Sequence, residues 1–300
     1  MITRRAFIGS VTGGLLAVPL AAEAQQAQKV WRIGVLFLED RRGGKAWFGF
    51  EQGLRELGYI EGRNLTFESE FAGGRVDQLL VDARSLVRRK VDLIVTYGNS
   101  GAKATKEATT TTPIVVLMMF DAVESGLVAS LARPGGNITG MSVPASELVT
   151  KWLEMLKAAI PHLTRVALLT SGSGSDEAGA LRAMTSAARS MGLKTEQYEM
   201  QRPHDLDRLF ADMKTARMEA LAVGSAPVLA YESPRIAALA MIHRIPTVGI
   251  RSFVERGGLM YYGPDSGETW RRAATHVDKI LKGAKPADLQ IGRASCRERV

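Results

Sequence analysis

A chain of 300 residues, 46% hydrophobic and 23% charged, can bury one large core or two cores of about 100–150 residues each. Its net charge of +8 falls to +5 once Arg4, Arg5, Arg293, Arg297 and Arg299, with Glu23 and Glu298, are set aside as parts of two unusual ends. The remaining charge is spread out, and its densest run, Arg88-Arg89-Lys90, closes a predicted helix where cations suit the dipole, which makes nucleic acid a poor partner.

The chain opens with Thr3-Arg4-Arg5-Ala6-Phe7-Ile8, then an apolar run from Val11 to Ala22 broken by Gly13, Gly14 and Pro19. That run is too short to span a bilayer. With the small-x-small end Ala22-Glu23-Ala24 it reads as an export signal over residues 1–24, cleaved after Ala24. The paired arginines resemble a twin-arginine (Tat) signal, and an ordinary Sec signal remains the alternative. Without a cysteine after the small residues there is no lipobox, so the mature protein is expected free in the periplasm.

After the signal, a strand at Arg32–Leu38 leads into a helix from Lys45 to Leu57, stopped by Gly58. The strand Asn64–Phe71 precedes a helix at Val76–Lys90, whose apolar positions Val76, Leu79, Leu80, Ala83, Leu86 and Val87 make a 3.6-residue stripe. The strand Leu93–Tyr97, a helix from Ser100 to Ala108 and the strand Ile114–Met119 complete a β-α-β-α-β-α-β unit, the pattern of a parallel sheet covered by helices. Arg133-Pro134-Gly135-Gly136-Asn137-Ile138-Thr139-Gly140 reads as a crossover and not a packed element, with a first hinge near Gly140–Pro144.

The rhythm then restarts with helix Glu147–Ala159, strand Val166–Thr170, helix Asp176–Met191, strand Thr195–Met200 and helix Asp205–Thr215. Strand Ala220–Gly224, helix Pro234–His243, strand Thr247–Ile250 and strand Leu259–Gly263 follow. The last helix, Gly267–Leu281, finds a home if the chain returns to the first unit.

The final decapeptide, Ile291-Gly292-Arg293-Ala294-Ser295-Cys296-Arg297-Glu298-Arg299-Val300, reads unlike the chain before it and back-translates to a short-read sequencing adapter. The expectation is that the natural sequence departs near Gln290 and continues differently; a genuine basic tail is the alternative. Cys296 is the only cysteine, so the body has no disulfide, thiol nucleophile or Cys-based metal site.

Three stretches carry a family resemblance: Phe50-Glu51-Gln52-Gly53-Leu54-Arg55-Glu56-Leu57-Gly58-Tyr59-Ile60-Glu61-Gly62-Arg63-Asn64, then Gly126 to Gly140, then Arg271 to Ala274 with Val277 to Leu289. They resemble the ABC transporter substrate-binding proteins, including tryptophan-type binding proteins of the type I periplasmic-binding fold. The resemblance implies an α/β fold of two Rossmann-like lobes with parallel sheets joined by a hinge. Lobe 1 is expected over residues 30–142 plus 266–290 and lobe 2 over residues 143–265. It further implies capture of a small solute, such as an amino acid or aromatic compound, and docking on an inner-membrane permease with its ATPase. No cofactor is implied, and a monomer is expected.

Ligands of open α/β sheets bind at the carboxyl ends of strands, and this rule selects the site candidates. In Thr96-Tyr97-Gly98-Asn99-Ser100 a strand turns into a helix, and free N–H groups with the Ser100 hydroxyl can hold a carboxylate; helix capping by Asn99 or Ser100 is the alternative. Asp121, where the family usually has an acidic residue, can pair with a ligand ammonium or cap the segment that follows. Phe37 and Glu39 end the first strand, Ser171 and Ser225 end strands of the second unit, and Arg251-Ser252-Phe253 is a weaker choice. The tryptophans read as packing.

His162, His204, His243 and His276 show no metal-binding or zincin spacing, and no G-x-S-x-G elbow occurs, so no enzyme is expected. Two alternatives stay open: a binding protein feeding a sensor kinase or chemoreceptor, and a periplasmic enzyme on the same fold.

Overall fold

The computed structural model describes residues 29–38, 42–171, 175–224, 226–294 and 296–299. The export signal, Glu39 and Ser225 lie outside these residues.

The first unit runs β1 (Trp31–Phe37), α1 (Gly44–Glu56), β2 (Leu65–Phe71), α2 (Gln78–Arg88), β3 (Leu93–Thr96), α3 (Gly98–Ala108), β4 (Ile114–Phe120) and β5 (Ile138–Val143). The second runs α4 (Ala145–Ala159), β6 (Arg165–Thr170), α5 (Ser175–Ser190), β7 (Lys194–Glu199), α6 (Leu206–Thr215), β8 (Ala220–Val223), α7 (Pro227–Tyr231), α8 (Ser233–His243), β9 (Thr247–Gly249), α9 (Arg251–Val254) and β10 (Met260–Pro264). Then come α10 (Ser266–Leu281), β11 (Gly292–Arg293) and β12 (Cys296–Arg299).

Two sheets result, in the orders β11-β5-β4-β3-β1-β2 and β12-β10-β9-β8-β6-β7. All described pairings are parallel except β10 with β12. Five strands of each sheet follow the same permutation, so the α/β fold of two Rossmann-like lobes is built twice from one plan. Strands buried on both faces explain the near-continuous apolar runs: every residue of β4 is buried.

Reading Arg133–Gly140 as a plain connection requires correction, because Ile138–Val143 is a wholly buried strand beside β4. Gly140 misled the reading. A Cβ there would sit 2.0 Å from the Val116 carbonyl oxygen, and the residue holds φ at 139°, so glycine marks a close backbone approach inside a strand. The chain passes to the second sheet immediately after β5 and returns after β10.

The return is held by α10 lying on α1. Trp47, Phe50 and Leu54 give α1 its buried face, and Gly49 and Gly53 let α10 approach. A Cβ on Gly53 would meet the Arg271 carbonyl oxygen at 2.4 Å, and one on Gly49 the Gly267 oxygen at 2.2 Å. Tyr59 donates its hydroxyl to Asp278 across the same contact, at 3.1 Å. Gly58, at φ 89°, ends α1 in a Schellman motif: its N–H donates to Arg55 and that of Tyr59 to Leu54.

Candidate functional site

In both sheets the strand order reverses beside the first strand of the unit, between β1 and β3 and between β6 and β8. Crevices for ligands open at the carboxyl ends of such strands. Phe37 ends β1, Tyr97 follows β3, and Ser171 follows β6, so these expected positions sit at the two reversal points.

A cleft of about 660 Å³ lies where the lobes meet at the return crossing. The first lobe supplies Gly43, the opening turn of α1 through Lys45 and Ala46, and Tyr97; the second supplies Tyr231, Pro234, Arg251, Glu255 and Arg256. Asp265, Ser266, Gly267 and Trp270, at the crossing and on α10, complete the wall.

Its aromatic side is a continuous run of tilted and edge-to-face ring contacts. Tyr97 and Trp270 rings lie 5.5 Å apart, Trp270 and Phe37 5.6 Å, and Phe37 and Trp47 5.7 Å in an edge-to-face pair. Phe37 does not line the cleft and instead backs Trp270. Tyr97 and Trp270 carry the aromatic character to the cleft.

Its charged side joins the two lobes. The Arg251 guanidinium donates to Glu255 at 3.0 Å and to Asp265 at 3.2 Å. The Glu255 hydrogen bond comes first, with Asp265 and Tyr261 adding to it, in holding Arg251 more firmly protonated. Asp265 uses its other oxygen to accept the Glu268 N–H at 3.2 Å, capping α10. Lys45 adds a further cation to the wall.

The other expected residues take different positions. Asn99 is buried, and its amide both donates to the Phe120 carbonyl at 2.8 Å and accepts the Phe120 N–H at 2.9 Å, tying α3 to β4. Ser100 is half-buried in the first turn of α3, and Ser171 is buried at the end of β6. Asp121 lines a separate pocket of about 220 Å³ with Ser142 and Pro144, and its Oδ1 accepts the Ala145 N–H at 2.9 Å. Burial pushes its carboxyl above the ordinary range, opposed by that hydrogen bond and assisted by Glu124.

Strand-end reasoning found Tyr97 and missed Trp270, Tyr231, Asp265 and Lys45, while Arg251 stood among its weaker choices. Among the described residues no three His, Cys, Asp or Glu groups converge on a metal position, and no helix is long and apolar enough to cross a membrane.

Residues 34–300 match the family described as ABC transporter substrate binding protein. The chain belongs to that family. A relative named "Tyrosine-binding protein" from Clostridioides difficile (strain R20291) is 22% identical over 97% of this chain and 88% of its own. Among solved structures, a conserved domain protein from Vibrio cholerae superposes with a TM-score of 0.83 at 24% identity, covering 89% of this chain and 90% of its own. An ABC domain from Streptococcus pneumoniae in complex with L-Trp gives 0.81 at 24% identity, with the same coverage. These likenesses, with the two parallel sheets, identify the type I periplasmic-binding fold, and this substrate-binding protein carries its aromatic cleft where that fold brings two lobes together.

Proposed function

We propose that this protein is the exported solute-binding component of an ABC uptake system, holding an aromatic amino acid or a related aromatic compound between its lobes. The observation that carries the reading is the Tyr97–Trp270 pair on a cleft wall that also presents Lys45 and Arg251 beside Glu255 and Asp265. Rings stack on an aromatic solute, and a wall bearing both charge signs suits a zwitterion. The names of the tyrosine-binding relative and the L-Trp-bound neighbour agree with that chemistry. Residues 1–24 direct export to the periplasm in this reading, and the monomer delivers its solute to an inner-membrane permease and its ATPase, acting as a carrier and not an enzyme.

Calorimetry with L-Trp, L-Tyr, L-Phe and L-Ala tests it. The aromatic three should bind and L-Ala should bind far more weakly. Tyr97→Ala should cost about tenfold or more, equivalent to ~1.4 kcal/mol, whereas Tyr97→Phe keeps the ring and most of the affinity. Equal binding of L-Ala, or an unchanged Tyr97→Ala, would overturn the aromatic assignment.

A further inference from the structure

α7 belongs to the second lobe, where Leu229 and Ala230 are buried in the core and the Arg256 guanidinium donates to the Ala230 carbonyl. Its other face meets the first lobe. Val228 packs both on the second-lobe core and on the layer that contains Leu36, Leu38 and Ala72. One turn on, the Tyr231 ring lies against the backbone of Gly74: a Cβ built on that glycine would meet Cε1 at 3.0 Å and Cδ1 at 3.2 Å. The seat is fixed by the Gly74 N–H, which donates to the Leu38 carbonyl at 2.7 Å, and by its left-handed φ of 78°, which favours glycine. Tyr231 also lines the cleft. One side chain of the second lobe therefore both walls the cleft and rests on the first lobe.

We infer that Tyr231 is the gate of the cleft, seated on Gly74 when the lobes are together and lifted off it when solute enters or leaves. An apolar contact made across the lobes in one arrangement and lost in the other biases the equilibrium toward the first by the whole of its differential energy. Because the contact is broken on the way out, removing it acts mainly on release, the step in which most affinity differences between related complexes reside. The bare backbone at residue 74 lets the ring edge come close enough to seal that side. This assignment rests on the solute-binding reading above for its ligand-exchange part, but the lobe contact itself does not need a ligand.

The test compares the full chain with Tyr231→Ala and Tyr231→Phe, after circular dichroism shows that each is folded. Small-angle scattering without ligand reads the lobe arrangement. Tyr231→Ala should have the larger radius of gyration and Tyr231→Phe, which keeps the ring atoms that face Gly74, should match the unsubstituted protein. Stopped-flow tryptophan fluorescence with L-Trp should show release from Tyr231→Ala faster by about tenfold, with association changed much less. Identical scattering of all three proteins, or identical release rates, would overturn the gate. If the unsubstituted protein fails to bind L-Trp, L-Tyr and L-Phe, the aromatic-solute reading falls while the scattering comparison still decides whether Tyr231 holds the lobes together.

Discussion

Asp121 sits at the end of β4 with φ at 46°, a left-handed conformation that an aspartate tolerates better than most residues. Its carboxylate caps Ala145, the first residue of α4, so a side chain from one lobe fixes the start of a helix in the other. Burial raises its pKa, so protonation comes more easily to this carboxyl in the folded protein than in the unfolded chain. The folded state then holds the proton to higher pH than the unfolded chain. The stability this confers is present below the unfolded value and lost as pH rises through the folded one. Asp121→Asn accepts the same N–H without ionising. Urea denaturation from about pH 4 upward should therefore show Asp121→Asn gaining on the unsubstituted protein as pH rises, and a loss with rising pH would contradict the burial argument. At this scale the sequence revealed positions better than roles. Tyr97 was legible because a short apolar strand ends just before it. Trp270 was not, because it reads locally as one more packed residue of a helix, nor was Tyr231, whose five-residue helix leaves no local period; only the fold brings them to the cleft. Asn99 carried the same local signal as Tyr97, but its amide points back to Phe120.

At the scale of elements, the contact of α1 with α10 closes the first lobe, and two glycines set its spacing. Alanine at Gly53 would raise intrinsic helix propensity by up to about 1 kcal/mol. Its Cβ would also press on the Arg271 carbonyl, a backbone atom that cannot swing aside as a flexible side chain does. Overpacking of this kind costs about 1–3 kcal/mol, so the clash wins. Urea denaturation should show Gly53→Ala destabilised, whereas Gly136→Ala, with no atom within 4 Å of the new Cβ, should stay within about 0.5 kcal/mol of the parent. Equal stability of the two variants would mean that α10 shifts without cost. Glycine also governed what the sequence disclosed. Gly58 announced the end of α1, because a terminal left-handed glycine is a local signal. Gly140, in β5, read as part of a crossover connection, because close approach of another strand leaves no local trace. The four- and five-residue helices α9 and α7 were missed for a related reason, being too short for an apolar period to develop.

For the whole molecule, the question is which force holds the lobes together. Besides the Asp121–Ala145 hydrogen bond, contacts between the lobes or at their junction include the apolar seat of Val228 and Tyr231, the pair of Arg251 with Asp265 at the crossing and, third, an ion pair between Arg182 of α5 and Glu124 beyond β4. The third is the most visible from outside, yet its side chains are 68% and 51% exposed. A pair so open to water is worth about 0–1 kcal/mol, and salt at about 0.1 M screens charges beyond roughly 10 Å. The Arg251 pair is more sheltered but lies at the crossing, where it moves little lever arm. The apolar seat is indifferent to salt and removes carbon surface from water at the cleft edge. Closure should therefore be carried by packing. Arg182→Gln should change aromatic ligand affinity by less than about fivefold, the equivalent of 1 kcal/mol, and raising salt should change the parent's affinity no more. If calorimetry instead shows Arg182→Gln weakening binding as much as Tyr97→Ala, with the loss reproduced by salt in the parent, the lobes are held by charge and the apolar account of closure is wrong.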